Sequence, residues 1–241
     1  MDRDYFAARR GFLNRALQSG VWTMAAASGL LAPLTALAKK PKKLPPGKSI
    51  YDMRGEVLVD GEPANMDTLI TANSIVETGS NSYVSFVVGA DSHMVRENSK
   101  MELGGTGMVE DFMRLVSGKV LSVFGSRNEG ETHTIHTSTA TIGIRGTGIY
   151  TESEPDLSYV CTCYGLVNLV SKADPESQEL IESEHHDKPR YIYADGYAGD
   201  LIEPAPFKNH TDQELMLLEA IVGRTTPFSS IRGYSAPRRG Y

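Results

Sequence analysis

The stretch Thr134-Ile-His-Thr-Ser-Thr-Ala-Thr-Ile-Gly-Ile-Arg-Gly-Thr-Gly-Ile-Tyr150 decides the fold class. Its threonines and isoleucines suit a pleated strand. Ile142, Ile144 and Ile149 mark an apolar face, and Gly143, Gly146 and Gly148 permit close approaches or backbone angles that other residues resist. The run reads as two short β segments joined at an Arg145-Gly146-Thr147 corner, and nothing in it has a catalytic pattern. Arg145, its only charge, is expected to be largely buried with its guanidinium donors on backbone carbonyls, because a buried guanidinium without partners costs several kcal/mol.

Strand patterns extend outward from that run. Gly55-Glu-Val-Leu-Val-Asp-Gly61 alternates and ends in Asp-Gly, a hairpin turn signal. Tyr83–Val88, His93–Arg96 and the segments on either side of Ser117-Gly118 come next. Turn signals recur about every eight to twelve residues, which predicts an all-β sandwich, roll or solenoid. No helical period interrupts residues 50–200. Beyond Pro206, Thr211-Asp-Gln-Glu214 is a capping box opening a helix through about Val222, closed by Gly223. Leu215, Leu218, Ile221 and Val222 share a face that would cover an exposed end of the β domain or dock a partner. Residues 224–241 read as a flexible tail.

The central run, a threonine-rich strand leading into an Arg-Gly-Thr corner, resembles the hallmark segment of FecR-type periplasmic domains. The order of the earlier pieces resembles that family too: Thr68-Leu-Ile-Thr71, Ile75–Gly79, Asn98–Leu103, and the Leu115–Val120 hairpin. The resemblance covers residues 50–170. It implies an all-β, FecR-like roll or solenoid of short strands over residues 50–205, followed by one C-terminal helix at 206–223. It also implies a periplasmic module. In the founding type that module passes an iron-uptake signal from an outer-membrane receptor to a sigma factor. This chain shows neither the cytoplasmic anti-sigma region nor the receptor-contacting domain of that type. The expectation is a non-catalytic binding or signalling module with an envelope protein as partner.

At the N-terminus, Ala8-Arg-Arg-Gly-Phe-Leu-Asn14 resembles the twin-arginine export signal, with Arg9 and Arg10 as the read pair. Residues 16–38 carry no charge and end in Ala36-Leu-Ala38, a small-x-small cleavage pattern, so residues 1–38 read as a signal peptide; the alternative is a retained membrane anchor. This predicts export in folded form to the periplasm through the twin-arginine machinery, with membrane contact only through the signal segment before cleavage. That route often carries proteins loaded with a cofactor. Residues 39–49, with four lysines and three prolines before Lys48, read as a basic extended linker.

The net charge over 241 residues is −6, so the electrostatics exclude a nucleic-acid binder. Removal of residues 1–38 takes away four arginines and two aspartates and leaves −8. Two cysteines, in one Cys-x-Cys, are too few for a disulfide scaffold. In the strand Tyr159–Val170 they share a face, with Cα atoms about 6.6 Å apart, which disfavours a disulfide between them. A turn centred on Asp174 and Pro175 would return Leu180–Asp187 in a register that sets Cys163 opposite His186 and Leu169 opposite Leu180. Cys161, Cys163, His185 and His186 are therefore the candidate metal ligands, a set suited to zinc or copper, with His185 and His186 on alternate faces unless the strand bulges. A redox role and a merely structural cluster are the rivals. His133 and His136, three apart on a strand, should face opposite sides. No nucleophile elbow, His-Glu-x-x-His or phosphate-loop pattern occurs.

Overall fold

The computed structural model describes residues 41–127, 133–195 and 197–230. Arg9, Arg10 and the Ala36-Leu-Ala38 pattern lie outside the described residues, as does the tail from residue 231. The compact unit that carries the fold begins at Lys42.

In chain order the strands are β1 (Ile50–Arg54), β2 (Val57–Val59), β3 (Glu62–Pro63), β4 (Ile75–Thr78), β5 (Tyr83–Val88), β6 (Asp91–Val95), β7 (Ser99–Thr106), β8 (Val109–Val123), β9 (His133–His136), β10 (Ala140–Glu154), β11 (Leu157–Ser171), β12 (Gln178–Ser183), β13 (Arg190–Tyr193) and β14 (Ile202–Pro204). One helix, α1 (Asp212–Ile221), comes after them. The protein is mostly β, and its large sheet does not close on itself. The Asp-Gly signal forms its turn: Asp60 and Gly61 both take positive φ, 54° and 83°, and β2 pairs antiparallel with β3.

Not all strands are short. β8, β10 and β11 run for 15 residues each and change partners along their length. The first half of β10 pairs with β9 and its second half with β8, while β11 accompanies it throughout. The break falls at the Arg145-Gly146-Thr147 corner. Gly146 has φ +55° and Gly165 across from it φ +93°, where an added Cβ would stand 2.7 Å from the Gly146 carbonyl oxygen. The register shifts there, and Thr147, fully buried, donates its hydroxyl to the carbonyls of Arg145 (3.0 Å) and Leu166 (3.1 Å).

Arg145 itself is exposed, which corrects the expectation of a buried guanidinium. Ile142 and Ile144 point into the core, so on an alternating strand the next residue points out, and the bulge comes only after it.

One face of the sheet packs a continuous core from Ile50 through Ile192 that includes Val84, Phe86, Met113, Leu115, Ile142 and Val160. The other face is also buried where β6, β8, β10 and β11 meet. Met94, Leu121, Tyr150, Cys161 and Cys163 are each no more than 3% exposed yet stand outside that core. α1 covers this outer face. Leu215, Leu218 and Ile221 are fully buried, the helix packs on β6 and β8, and Ser92 on β6 donates to the carbonyl of Leu218. The capping box forms in both directions: the Glu214 amide donates to Thr211 Oγ1, and the Thr211 amide donates to the Glu214 carboxylate. Gly223 closes it with φ +84°. The end of the basic linker is packed: the Leu44 amide donates to Ile221, and Ser49 is buried. Beyond α1, Pro227–Ser230 form a 3₁₀ turn with Phe228 fully buried, so the start of the expected flexible tail is part of the cover. Among the described residues no helix is long and apolar enough to cross a membrane.

Candidate metal centre

β11 is paired on one edge along its whole length. On its other edge it pairs with β13 at residues 157–160 and with β12 at residues 165–170, which leaves residues 161–164 without a strand partner. The two cysteines stand in that gap, side chains on the outer face. Both are free thiols with no exposure to solvent.

The chain between β12 and β13 fills the gap. The β11–β12 ladder sets Asn168 opposite Leu180 and Leu169 opposite Glu179, one residue away from the expected register. The pairing of Leu169 with Leu180 is therefore overturned, and Leu180 lies 68% exposed on the surface. His186 reaches Cys163 by a different route. The strand ends at Ser183, and the Asp187 carboxylate caps the turn by accepting from the amides of Glu184 and His185. His186 adopts φ +57°, and its amide donates to the Cys163 carbonyl at 3.0 Å. A left-handed residue in a tight turn brings the imidazole over the thiols.

His185 and His186 separate. His186 Nδ1 lies 3.6 Å from Cys161 Sγ, whereas His185 turns to the Asp212 carboxylate, with Nε2 3.0 Å from either oxygen. The fourth member of the cluster is His210, which sequence reasoning missed. Its Nε2 lies 3.4 Å from Cys163 Sγ and 3.1 Å from His186 Nδ1. The ligand atoms of Cys161, Cys163, His186 and His210 all lie within 4.8 Å of one another, and all four residues are buried. His210 is delivered by the segment after β14. Buried Glu152 on β10 accepts from Asn209 (2.7 Å), pairs with Lys208 (2.9 Å) and accepts from the Tyr150 hydroxyl (2.7 Å). Burial pushes the Glu152 carboxyl up, but these three partners prevail and hold it below its ordinary range. The Tyr150 ring stacks on His210 at 4.6 Å.

Hydrogen bonding fixes both tautomers. A backbone carbonyl can only accept, so His210 Nδ1, 2.7 Å from the Lys208 carbonyl, carries the proton and presents a lone pair at Nε2. His186 Nε2, 2.9 Å from Asp212, likewise donates and presents its lone pair at Nδ1. Two imidazole lone pairs then face one another at 3.1 Å beside two thiols, out of water. Something positive must lie between them. A proton or a metal ion can fill that role. Burial alone pushes the Cys161 thiol up, but hydrogen bonding from Cys163 and the nearby imidazoles of His210 and His186 hold it well below the thiol range. Burial and then the Cys161 thiolate push the Cys163 thiol up. Burial lowers the basicity of His186, but Asp212 and Cys161 outweigh it and raise its pKa. A bound metal would take two thiolates and two neutral imidazoles.

The donors fit a tetrahedral ion. Bonds of about 2.3 Å to sulfur and about 2.05 Å to nitrogen place S and N about 3.6 Å apart and two N about 3.3 Å apart at tetrahedral angles. Three of the six edges are 3.6 and 3.4 Å between S and N and 3.1 Å between the nitrogens, and all six lie within 4.8 Å. Phe207, 4.6 Å from both His186 and His210, and Phe228, 4.6 Å from His185, line the surroundings.

A second buried cluster lies on the inner face. His93 Nε2 is 2.9 Å from Glu110 Oε1, His133 Nε2 is 3.5 Å from Glu110 Oε2, and His93 Nδ1 is 2.9 Å from the Ser122 hydroxyl. His133 is buried and His136 half-buried on the other side of β9.

No family model matches the chain, and no curated protein matches it. Two crystal structures of a "putative anti-sigma factor" from Parabacteroides distasonis ATCC 8503 are similar to it. Each has a TM-score of 0.45 and 13% identity, covering 61% and 59% of this chain and 74% and 70% of theirs.

Proposed function

We propose that the protein is a zinc-binding β module in which Cys161, Cys163, His186 and His210 hold one Zn²⁺ in a closed, non-catalytic site. The observation that carries this reading is the pair of imidazole lone pairs facing each other at 3.1 Å next to two buried thiols, each fixed by a hydrogen bond from the ring's other nitrogen. Sites that hold zinc through histidine use that outer hydrogen bond to orient the ring. The charge balance favours a divalent ion. Two thiolates and Zn²⁺ sum to zero in a dry site, whereas Cu⁺ would leave a net buried negative charge next to the Asp212 carboxylate. Four protein ligands leave no open position for water or substrate, which is the pattern of a structural rather than a catalytic ion.

Several features support a placement in the cell envelope. The twin-arginine pattern at Arg9 and Arg10 and the likeness of residues 50–170 to FecR-type domains suit an exported signalling or binding module with an envelope partner. Export after folding suits a protein whose metal must be enclosed first. Replacement of Arg9 and Arg10 by Lys should trap the precursor in the cytoplasm, since the translocase reads the guanidinium pair rather than charge alone; normal processing of that variant would refute the export reading.

The metal reading is tested by elemental analysis of full-length protein purified without chelator. One equivalent of zinc per chain, with both thiols unreactive until the metal is removed, is the expected result. Metal-free protein that takes up no zinc overturns it.

A further inference from the structure

The outer face of the sheet stays dry because the segment from about residue 205 to residue 230 lies over it, and the candidate site sits at the seam. Three ligands, Cys161, Cys163 and His186, belong to β11 and the turn after β12. The fourth, His210, belongs to the cover. Four-coordination is complete only with the cover down.

Asp212, the first residue of α1, lies at the same seam. Its carboxylate faces His186 Nε2 at 2.9 Å and His185 Nε2 at 3.0 Å, and it has no exposed surface. The helix does not need Asp212 for its cap, which Thr211 and Glu214 supply between them. Asp212 is thus the point where the helix start is tied to the site. A ten-residue helix does not persist alone in water, so α1 exists by virtue of its docking.

We propose that metal occupancy latches α1 onto the sheet, with Asp212 as the positioning residue that joins the site to the helix; this rests on the zinc reading above. A closed state with four ligands binds the ion more tightly than an open state with three, so the ion shifts the population toward the closed state by that ratio of affinities. The remaining anchors, Arg96 to Glu214 at 3.0 Å, Ser92 to Leu218 at 2.8 Å, and Tyr164 to Glu219, keep the metal-free helix near the sheet. The metal-free cover is loosened rather than released. Its opening uncovers Met94, Leu121 and Tyr150, an apolar strip flanking the two cysteines.

Amide hydrogen exchange on the full chain, metal-free and zinc-loaded, tests the latch. Zinc should slow exchange of the α1 amides by about 5- to 150-fold, the usual span of coupling between sites. The amides of β4, at the far end of the sheet, should not change. Asp212→Asn keeps the capping box but weakens the carboxylate's hold on the imidazoles. It should lower zinc affinity about 10- to 100-fold and shrink the zinc-dependent protection of α1, read as the ratio of exchange with and without zinc in the same variant. Stoichiometric zinc binding with identical α1 exchange in both forms overturns the latch alone, as does an Asp212→Asn protein with undiminished affinity and protection. Failure to bind zinc at all overturns the zinc reading and the latch together.

Discussion

His186 is held in a left-handed turn at φ +57° by the Asp187 cap, and its usefulness depends on that turn. Substitution of Cys161, Cys163 or His210 by Ser or Asn removes one vertex of a tetrahedron whose other three remain. Each variant should therefore bind zinc far more weakly. With Co²⁺ in place of zinc, each should also weaken or shift the tetrahedral ligand-field absorption that the parent is expected to show, and the two cysteine variants should lose thiolate charge-transfer intensity as well. His185→Asn, by contrast, touches Asp212 and not the sulfurs, and should keep the tetrahedral spectrum. A spectrum lost in His185→Asn and kept in His210→Asn would reverse the assignment. Arg145 supplies a further contrast. It is exposed, so Arg145→Met should change stability by no more than about 0.5 kcal/mol, whereas Thr147→Val removes a fully buried hydroxyl from two carbonyls and should cost about 1–3 kcal/mol in chemical unfolding.

Elements were legible in the sequence to different degrees. The Asp60-Gly61 turn, the alternation around Ile142 and Ile144, and the Thr211–Glu214 box depend on residues a few positions apart, and local chemistry decides them. That Cys161 and Cys163 share a face came directly from the period of two. The register of β11 on β12 did not, since a turn centred half a residue differently shifts every pair by one. His210 was illegible for another reason. It lies 47 residues from Cys163 in irregular chain, brought in by Lys208 and Asn209 on Glu152, and no periodicity reports such a contact. A useful signal was available: two cysteines and two adjacent histidines of opposite orientation lack one ligand, and His210 stands just before a helix cap. At this scale Thr211→Ala should cost about 1 kcal/mol of stability through loss of the cap. A thermal or chemical unfolding curve that does not move would show that docking alone holds the helix.

For the whole molecule, the sheet is buried on both faces where β6, β8, β10 and β11 meet, and each face holds a cluster of ionisable groups. On the inner face, burial pushes the Glu110 carboxyl up, but His93 and His133 outweigh it and hold it at about 2 against an ordinary 4.5. Burial opposes the charge on His93, while Glu110 and Asp91 raise its pKa despite the nearby Arg127. The carboxyl is depressed, so its contribution is complete above about pH 4.5 and is lost as pH falls toward about 2. The histidine is raised, so its contribution is complete below 6.5 and is lost as pH rises through its folded value. Stability of metal-free protein should therefore fall on both sides of mildly acidic pH, by about 3 kcal/mol at most on the acid side. Glu110→Gln leaves the two imidazoles without their anion and should be destabilised by about 3–5 kcal/mol, with a flatter acid limb in chemical unfolding from about pH 2 to about pH 6. An unchanged acid limb would place the pH dependence elsewhere.

Above all, two sulfurs and two nitrogens from three distant parts of the chain should share one ion. X-ray absorption at the zinc edge of loaded full-length protein tests this most directly. Two sulfur neighbours at about 2.3 Å and two imidazole nitrogens at about 2.0–2.1 Å are predicted. A shell of oxygen and nitrogen without sulfur, or six neighbours in place of four, would contradict it.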